Sequence, residues 1–139
     1  MAVQDRGWSL VVPHHASGAR QARQQLAAEL TGVVSTALCS DVIAVAAELL
    51  GNAVRHAAPL PGNVIRIECR VLAGPKGPVV ELRVTDGGST LTPTERSASP
   101  DSVDGRGLRI VAALAGAWGV DREGTGQVVW ARLHAAQPR

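Results

Sequence analysis

The chain has 139 residues, 45% hydrophobic and 19% charged, proportions that suit a globular protein able to bury a core without staples. A formal net charge of +2 with no block of like charge argues against a nucleic-acid arm, and the lack of Phe and Tyr removes base-stacking platforms. Cys39 and Cys69 stand far apart without a CxxC or a His-rich run, which argues against zinc and predicts two inert buried thiols in a reducing compartment.

In chain order, the apolar run Trp8–Val12, ended by Pro13, predicts a first strand. Ala19, Ala22, Leu26, Ala27 and Leu30 recur at helical spacing, so a helix follows, capped by Ser17 and stopped by Gly32. Asp41 or Ser40 is the expected cap of a second helix running to about Ala57, apolar almost all round and therefore core-facing. Residues 63–72 alternate Val64, Arg66, Glu68 and Arg70 with apolar neighbours. With the turn at 74–78 and a strand over 79–85 they predict an antiparallel hairpin. Residues 87–104 are rich in Ser, Thr, Pro and Gly and read as a mobile loop; a loop that long in a compact domain is usually functional. Gly107–Ala117 reads as a third helix, 119–122 and 127–133 as strands, and the tail from His134 as frayed. His14 and His15, after Pro13, read as a surface pair. The expected fold class is α+β: one domain over 1–139, a two-layer α/β sandwich whose mixed, mostly antiparallel sheet carries the helices on one face. The N-terminus shows no leader-like pattern and no run reaches the ~18 apolar residues of a membrane span, so a cytoplasmic location is expected.

Three short segments could carry chemistry. Glu48, Asn52 and His56 stand four apart and share one face of the second helix. On a greasy helix such groups need partners, since an unpaired buried polar atom costs roughly 1–3 kcal/mol. A solvated helix edge explains them equally well, while a carboxylate near an amide oxygen suits a hard cation such as magnesium. Asp86-Gly87-Gly88 at a strand end is ordinary turn chemistry; alternatively Asp86 accepts a hydrogen bond from the exocyclic amine of a base while Gly88 permits close approach. Gly105-Arg106-Gly107-Leu108 opens a helix, where free amides and close-approach glycines suit phosphate. It has neither the third glycine of a dinucleotide fingerprint nor the lysine of a P-loop.

The order E-x-x-x-N, D-x-G, loop, G-x-G-L resembles the Bergerat-type ATPase fold of histidine kinases, gyrases, the ninety-kilodalton heat-shock chaperone and mismatch-repair proteins. Glu48-Leu49-(x)2-Asn52-Ala53-Val54-Arg55-His56, Gly105-Arg106-Gly107-Leu108, Trp118-Gly119 and Val129-Trp130-Ala131 look most like the anti-sigma-factor serine/threonine kinases, over 17–133. That resemblance implies ATP and Mg²⁺ as cofactors, Asn52 as metal ligand, and Glu48 as the base that deprotonates a partner's serine. Asp86 and Gly88 would form the adenine pocket. Gly105, Gly107 and Leu108 would cradle phosphates under a lid over 89–104, with His56 and Arg106 as further ATP-binding residues. The implied partners are a sigma factor and a serine-bearing anti-anti-sigma protein, with a homodimer as the implied assembly. Two positions depart from the family pattern: Thr90 where a third glycine of D-x-G-x-G is common, and Val128 where a threonine usually supports the aspartate. A non-catalytic, partner-binding switch module with a vestigial nucleotide site is the second reading.

Overall fold

A computed structural model describes residues 6–88 and 103–135, with 103–107 described by backbone alone. Among these residues five strands form one sheet: β1 (Arg6–Pro13), β2 (Val64–Gly74), β3 (Gly77–Asp86), β4 (Ala117–Glu123) and β5 (Gly126–His134). Their order is β1-β2-β3-β5-β4, and all four pairings are antiparallel. Among the described residues three helices accompany them: α1 (Ala16–Leu30), α2 (Thr36–His56) and α3 (Val103–Leu114).

Strand alternation divides the sheet into a dry and a wet face. Val12, Ile65, Ile67, Cys69, Val80, Leu82, Val84, Val129, Ala131 and Leu133 join the buried positions of α1 and α2 in one core cluster, so the helices cover one face. The core is aliphatic; Trp8 and Trp118 pack only against its margin. The other face carries paired charges, such as Arg132 donating from Nε to Glu81 Oε2 at 2.8 Å. Trp130 lies there over Gly119 of the neighbouring strand, where a Cβ would come within 2.9 Å of the indole. The β2–β3 hairpin turns on Pro75-Lys76, with Gly74 opposite Gly77 and Gly77 at φ +113°. Helix α2 is by length and composition apolar enough to cross a membrane. Its buried positions, Leu38, Val42, Val45, Ala46, Leu49, Leu50 and Ala53, lie in the core cluster instead.

Helix starts differ from the sequence expectation. Helix α2 begins at Thr36, because Ser35 Oγ accepts the Leu38 N–H at 3.1 Å. Ser40 and Asp41, the expected caps, lie inside its first two turns. Helix α1 begins at Ala16 rather than Ala19, with His15 as N-cap: its Nδ1 accepts the Ser17 N–H at 3.1 Å, so Ser17 is capped rather than capping. Gly18 then lets the helix pass against the Pro13 carbonyl. Helix α3 covers Val103–Leu114 instead of 107–117, so Gly105 and Gly107 fall inside it. Two glycines, each costing roughly 1 kcal/mol in a helix, read as a boundary the chain does not observe. The helix ends where Gly116 N–H donates to Arg132 O at 2.8 Å and leads into β4. Residue 134 belongs to β5 rather than to a frayed tail.

His14 is not a free surface residue. Its Nε2 lies 2.9 Å from both Ala53 O and Ala57 O, the last carbonyls of α2, so this nitrogen carries the proton. The ring ties the end of β1 to the negative end of the helix dipole. His14→Ala is expected to lower stability by ~1–2 kcal/mol, since it takes the donor from Ala57 O and leaves Ala53 O with only the Ala57 N–H. His15→Ala, which removes only an exposed cap, should cost about 0.5–1 kcal/mol. Urea denaturation of both variants checks the order.

The cysteines are unlike one another. Cys69 is buried, and burial, with Glu29 nearby, pushes its thiol up to about 12. Cys39 is half-buried, so the expectation of two buried thiols holds for one.

Candidate functional site

Three buried polar residues, Asn52, Asp86 and Gln127, stand on α2, at the end of β3 and at the start of β5; Glu81 and Thr85, also buried, belong to the other face of the sheet. Helix α2 packs against both strands. On it, Glu48, Asn52 and His56 occupy successive turns; Glu48 and His56 are half-buried, and Asn52 is 2% exposed. Neither Asn52 Oδ1 nor Nδ2 finds a hydrogen-bond partner among the described residues. A solvated helix edge therefore does not describe Asn52. Its sequence neighbours Leu49, Leu50 and Ala53 are in the core, and the amide itself is buried without compensation, a costly arrangement unless something else supplies the contacts.

Asp86 closes β3 and is 1% exposed. Its Oδ1 accepts the Gly88 N–H at 2.7 Å, an Asx-type turn that holds the carboxylate against its own chain. Gly88 needs to be glycine for two reasons: φ is +99°, and a Cβ would run into the Thr125 carbonyl of the β4–β5 turn. Gly87 is equally confined, its missing Cβ facing the Pro59 carbonyl. The pair clasps the segment just after α2. Gly87 N–H donates to Ala58 O at 2.7 Å, and Ala58 N–H donates to Gly88 O at 2.9 Å. The Asp-Gly-Gly segment is therefore more than a turn. It bolts the Asp86 end of the sheet to the end of α2.

Support for Asp86 comes from Gln127, not from position 128. The β3–β5 register sets Asp86 opposite Gln127 and Thr85 opposite Val128. With a two-residue period, Val128 faces away from the helices while Gln127 shares the dry face with Val129, Ala131 and Leu133. Gln127 Nε2 donates to Asp86 Oδ2 at 3.4 Å. A polar residue at the head of the alternation Gln127, Val129, Ala131, Leu133 was the available signal for it.

Of the remaining expected site residues, Leu108 is buried near the start of α3. Gly105, Arg106 and Gly107 lie in the first turns of that helix by backbone. Their side chains, Thr90 and most of the expected lid (89–102) lie outside the described residues. An open cleft of ≈ 530 Å³ beside Asp86 is walled by Pro59, Leu60, Arg66, Thr85, Thr125 and Gly126 among others. Asp86 and Gly87 line it as well, so the cleft reaches the Asp86 end of the buried polar group, although neither Asn52 nor Gln127 lines it. Among the described residues no group of three or more His, Cys, Asp or Glu could hold a metal. A cation here would depend on Asn52, water and a ligand's own oxygens.

The model of the histidine kinase-like ATPase domain matches residues 12–133, most of the chain. The chain belongs to that family. A search of curated proteins found no match. Among solved structures, the RsbU and RsbW domains of Rv1364c from Mycobacterium tuberculosis align over 96% of this chain with a TM-score of 0.69 and 18% identity. The present chain spans only 33% of that one, and at this identity the likeness is one of fold. Membership of the family implies nucleotide binding, and the unsatisfied amide of Asn52, the pinned carboxylate of Asp86 and the close-approach Gly88 suit a polar ligand entering between α2 and the strand ends.

Proposed function

We propose that this chain is a single-domain, cytoplasmic ATP-dependent serine kinase of the anti-sigma type. On this reading it phosphorylates a serine on an anti-anti-sigma antagonist and sequesters a sigma factor. The observation that carries the proposal is Asn52, sealed in the core with both amide atoms unpartnered, one turn beyond Glu48 on a helix bolted to Asp86. Support for the anti-sigma type comes from the motif order, from the Glu48–His56 run, and from the shared fold with a structure containing an RsbW domain.

Asn52 Oδ1 would hold Mg²⁺, an oxygen-preferring cation that neutralises phosphate charge. Asp86 would accept from the exocyclic amine of adenine, and Gly88 would let the base lie close to backbone. The start of α3, with Gly105, Arg106, Gly107 and Leu108, would present free amides to phosphate, beneath a lid over 89–104. His56, one turn beyond Asn52, would line the phosphate side. Glu48 would take the proton from the partner's serine hydroxyl as that oxygen bonds to the γ-phosphorus and the bridging oxygen leaves with ADP. Phosphoryl transfer depends chiefly on positioning and charge neutralisation, and these residues supply both.

Titration with a fluorescent ATP analogue tests this, with Mg²⁺ and with EDTA. Binding that strengthens with Mg²⁺ is expected, and no binding at millimolar nucleotide would sink the proposal. Glu48→Ala should keep ATP binding and lower transfer to a cognate antagonist by at least ~100-fold, in the range of general-base catalysis. Transfer at the wild-type rate would remove Glu48 as the base. ATP binding without transfer in the wild type would favour the non-catalytic switch, the reading that Thr90 in place of a glycine suggests.

A further inference from the structure

The sheet face that the helices leave bare is not uniformly polar. Across β1, β2, β3 and β5 the ladder sets Val11 against Arg66, Arg66 against Thr85 and Thr85 against Val128. Val128 faces away from the helices, so this whole row lies on the outer face. Val11 is 54% exposed, the most open large aliphatic side chain among the described residues. The row runs into the cleft of ≈ 530 Å³, which Arg66 and Thr85 line together with Glu123 and the segment Pro59-Leu60-Pro61. No residue of α2 or α3 lines it, and by alternation the Asp86 side chain belongs to the opposite face. Its charges are unequal in standing. Glu123 is paired with Arg83 at 3.7 Å, whereas Arg66 has no ion-pair partner among the described residues.

We propose that this outer cleft, with Val11 beside it, is a docking site for an extended segment of a partner protein that carries an acidic side chain between small apolar residues. The acid answers Arg66, since an exposed guanidinium can hold a carboxylate by two parallel hydrogen bonds. The apolar residues answer Val11 and the Pro59-Leu60-Pro61 wall. Length favours a chain over a compact anion. From Val11 on β1 to Glu123 on β4 the sheet is crossed in four strand steps of ~4.8 Å, roughly 19 Å in all, which an extended chain covers in about six residues. A compact anion reaches Arg66 but not both apolar ends. The inference stands apart from the kinase reading, because Val11 and Arg66 have no part in it.

The test is fluorescence anisotropy of labelled six-residue peptides on the full chain without nucleotide. The panel is built of Ala, Val and Pro with one Glu placed at each position in turn. At least one member should bind below millimolar concentration, and exchange of its Glu for Gln should weaken it about tenfold, as loss of a charged hydrogen-bonding partner does. Arg66→Gln should weaken the Glu peptide by a similar factor and leave the Gln peptide unchanged. Arg66→Lys, which keeps the charge and loses the fork, should fall between. Val11→Ser should weaken both peptides about threefold. Both positions are exposed, and circular dichroism reads whether each variant keeps the fold. No binding by any member, equal binding of the Glu and Gln forms, or binding indifferent to Arg66→Gln overturns the inference. So does octanoate binding as tightly as the best peptide, which would assign the cleft to a small amphiphile. A wild type that sediments as a dimer and is dissociated by Arg66→Gln would assign this face to a second copy, and overturns it too.

Discussion

Asn52→Leu is expected to melt at a higher temperature than the wild type in nucleotide-free buffer and to gain nothing from Mg²⁺ and ATP. The first half follows from burial without partners. Each orphaned polar group costs roughly 1–3 kcal/mol, whereas an apolar side chain of similar size in its place is neutral or stabilising. Leucine is also the better helix former. Position 52 is 2% exposed, so the new methyl groups are buried rather than left in water. A gain of ~1–2 kcal/mol corresponds to a Tm rise of roughly 3–8 °C for a chain of this length. The second half follows from the proposed role. Ligand that binds only the folded wild type raises its Tm by mass action, and the variant has lost the atom through which the metal would be held. Differential scanning calorimetry with and without Mg²⁺ and ATP reads both. A lower Tm in the nucleotide-free variant would mean that the amide is already satisfied in the folded chain.

Gly88→Ala is expected to lower stability by on the order of 3 kcal/mol. Two costs combine. A side chain at φ +99° is strained by roughly 1–2 kcal/mol. The added Cβ also runs into the Thr125 carbonyl, which is backbone and cannot swing aside. Relief would pull apart the Gly88 N–H···Asp86 and Ala58 N–H···Gly88 bonds. Gly124 is the natural control: its φ is +59°, but nothing lies within 4 Å of its missing Cβ. Gly124→Ala should therefore cost only the backbone term, ~1 kcal/mol. Guanidinium unfolding of both variants separates strain from collision. Equal losses would show that the contact with Thr125 relaxes freely.

The sequence made the helix face legible because Glu48, Asn52 and His56 obey helical spacing, and it made the strands legible because Ile65, Ile67 and Cys69 alternate with Arg66 and Glu68. Both patterns are local. What escaped was set by competition or by register. Ser35, Ser40 and Asp41 are all good caps by chemistry, and only the packed length of α2 decides among them. Gln127 and Val128 are adjacent, and which one meets Asp86 depends on a one-residue choice of pairing that a single strand does not disclose. His14 looked like a surface residue because its partners, Ala53 and Ala57, lie some forty positions away. At the proposed site, the residue types on α2 and after β3 could be read directly. The clasp between Gly87, Gly88 and Ala58 could not, since it joins two loops.

That clasp bears on how two binding events would speak to each other. Helix α2 is a 21-residue rod carrying Glu48 and Asn52, and its far end is fastened to the turn that holds Asp86. A stiff body fastened in this way transmits displacement rather than absorbing it. A ligand drawn to the Asp86 end and a protein docked near Glu48 would act on one mechanical element. By thermodynamic reciprocity, the factor by which the first changes the affinity of the second equals the factor by which the second changes the first.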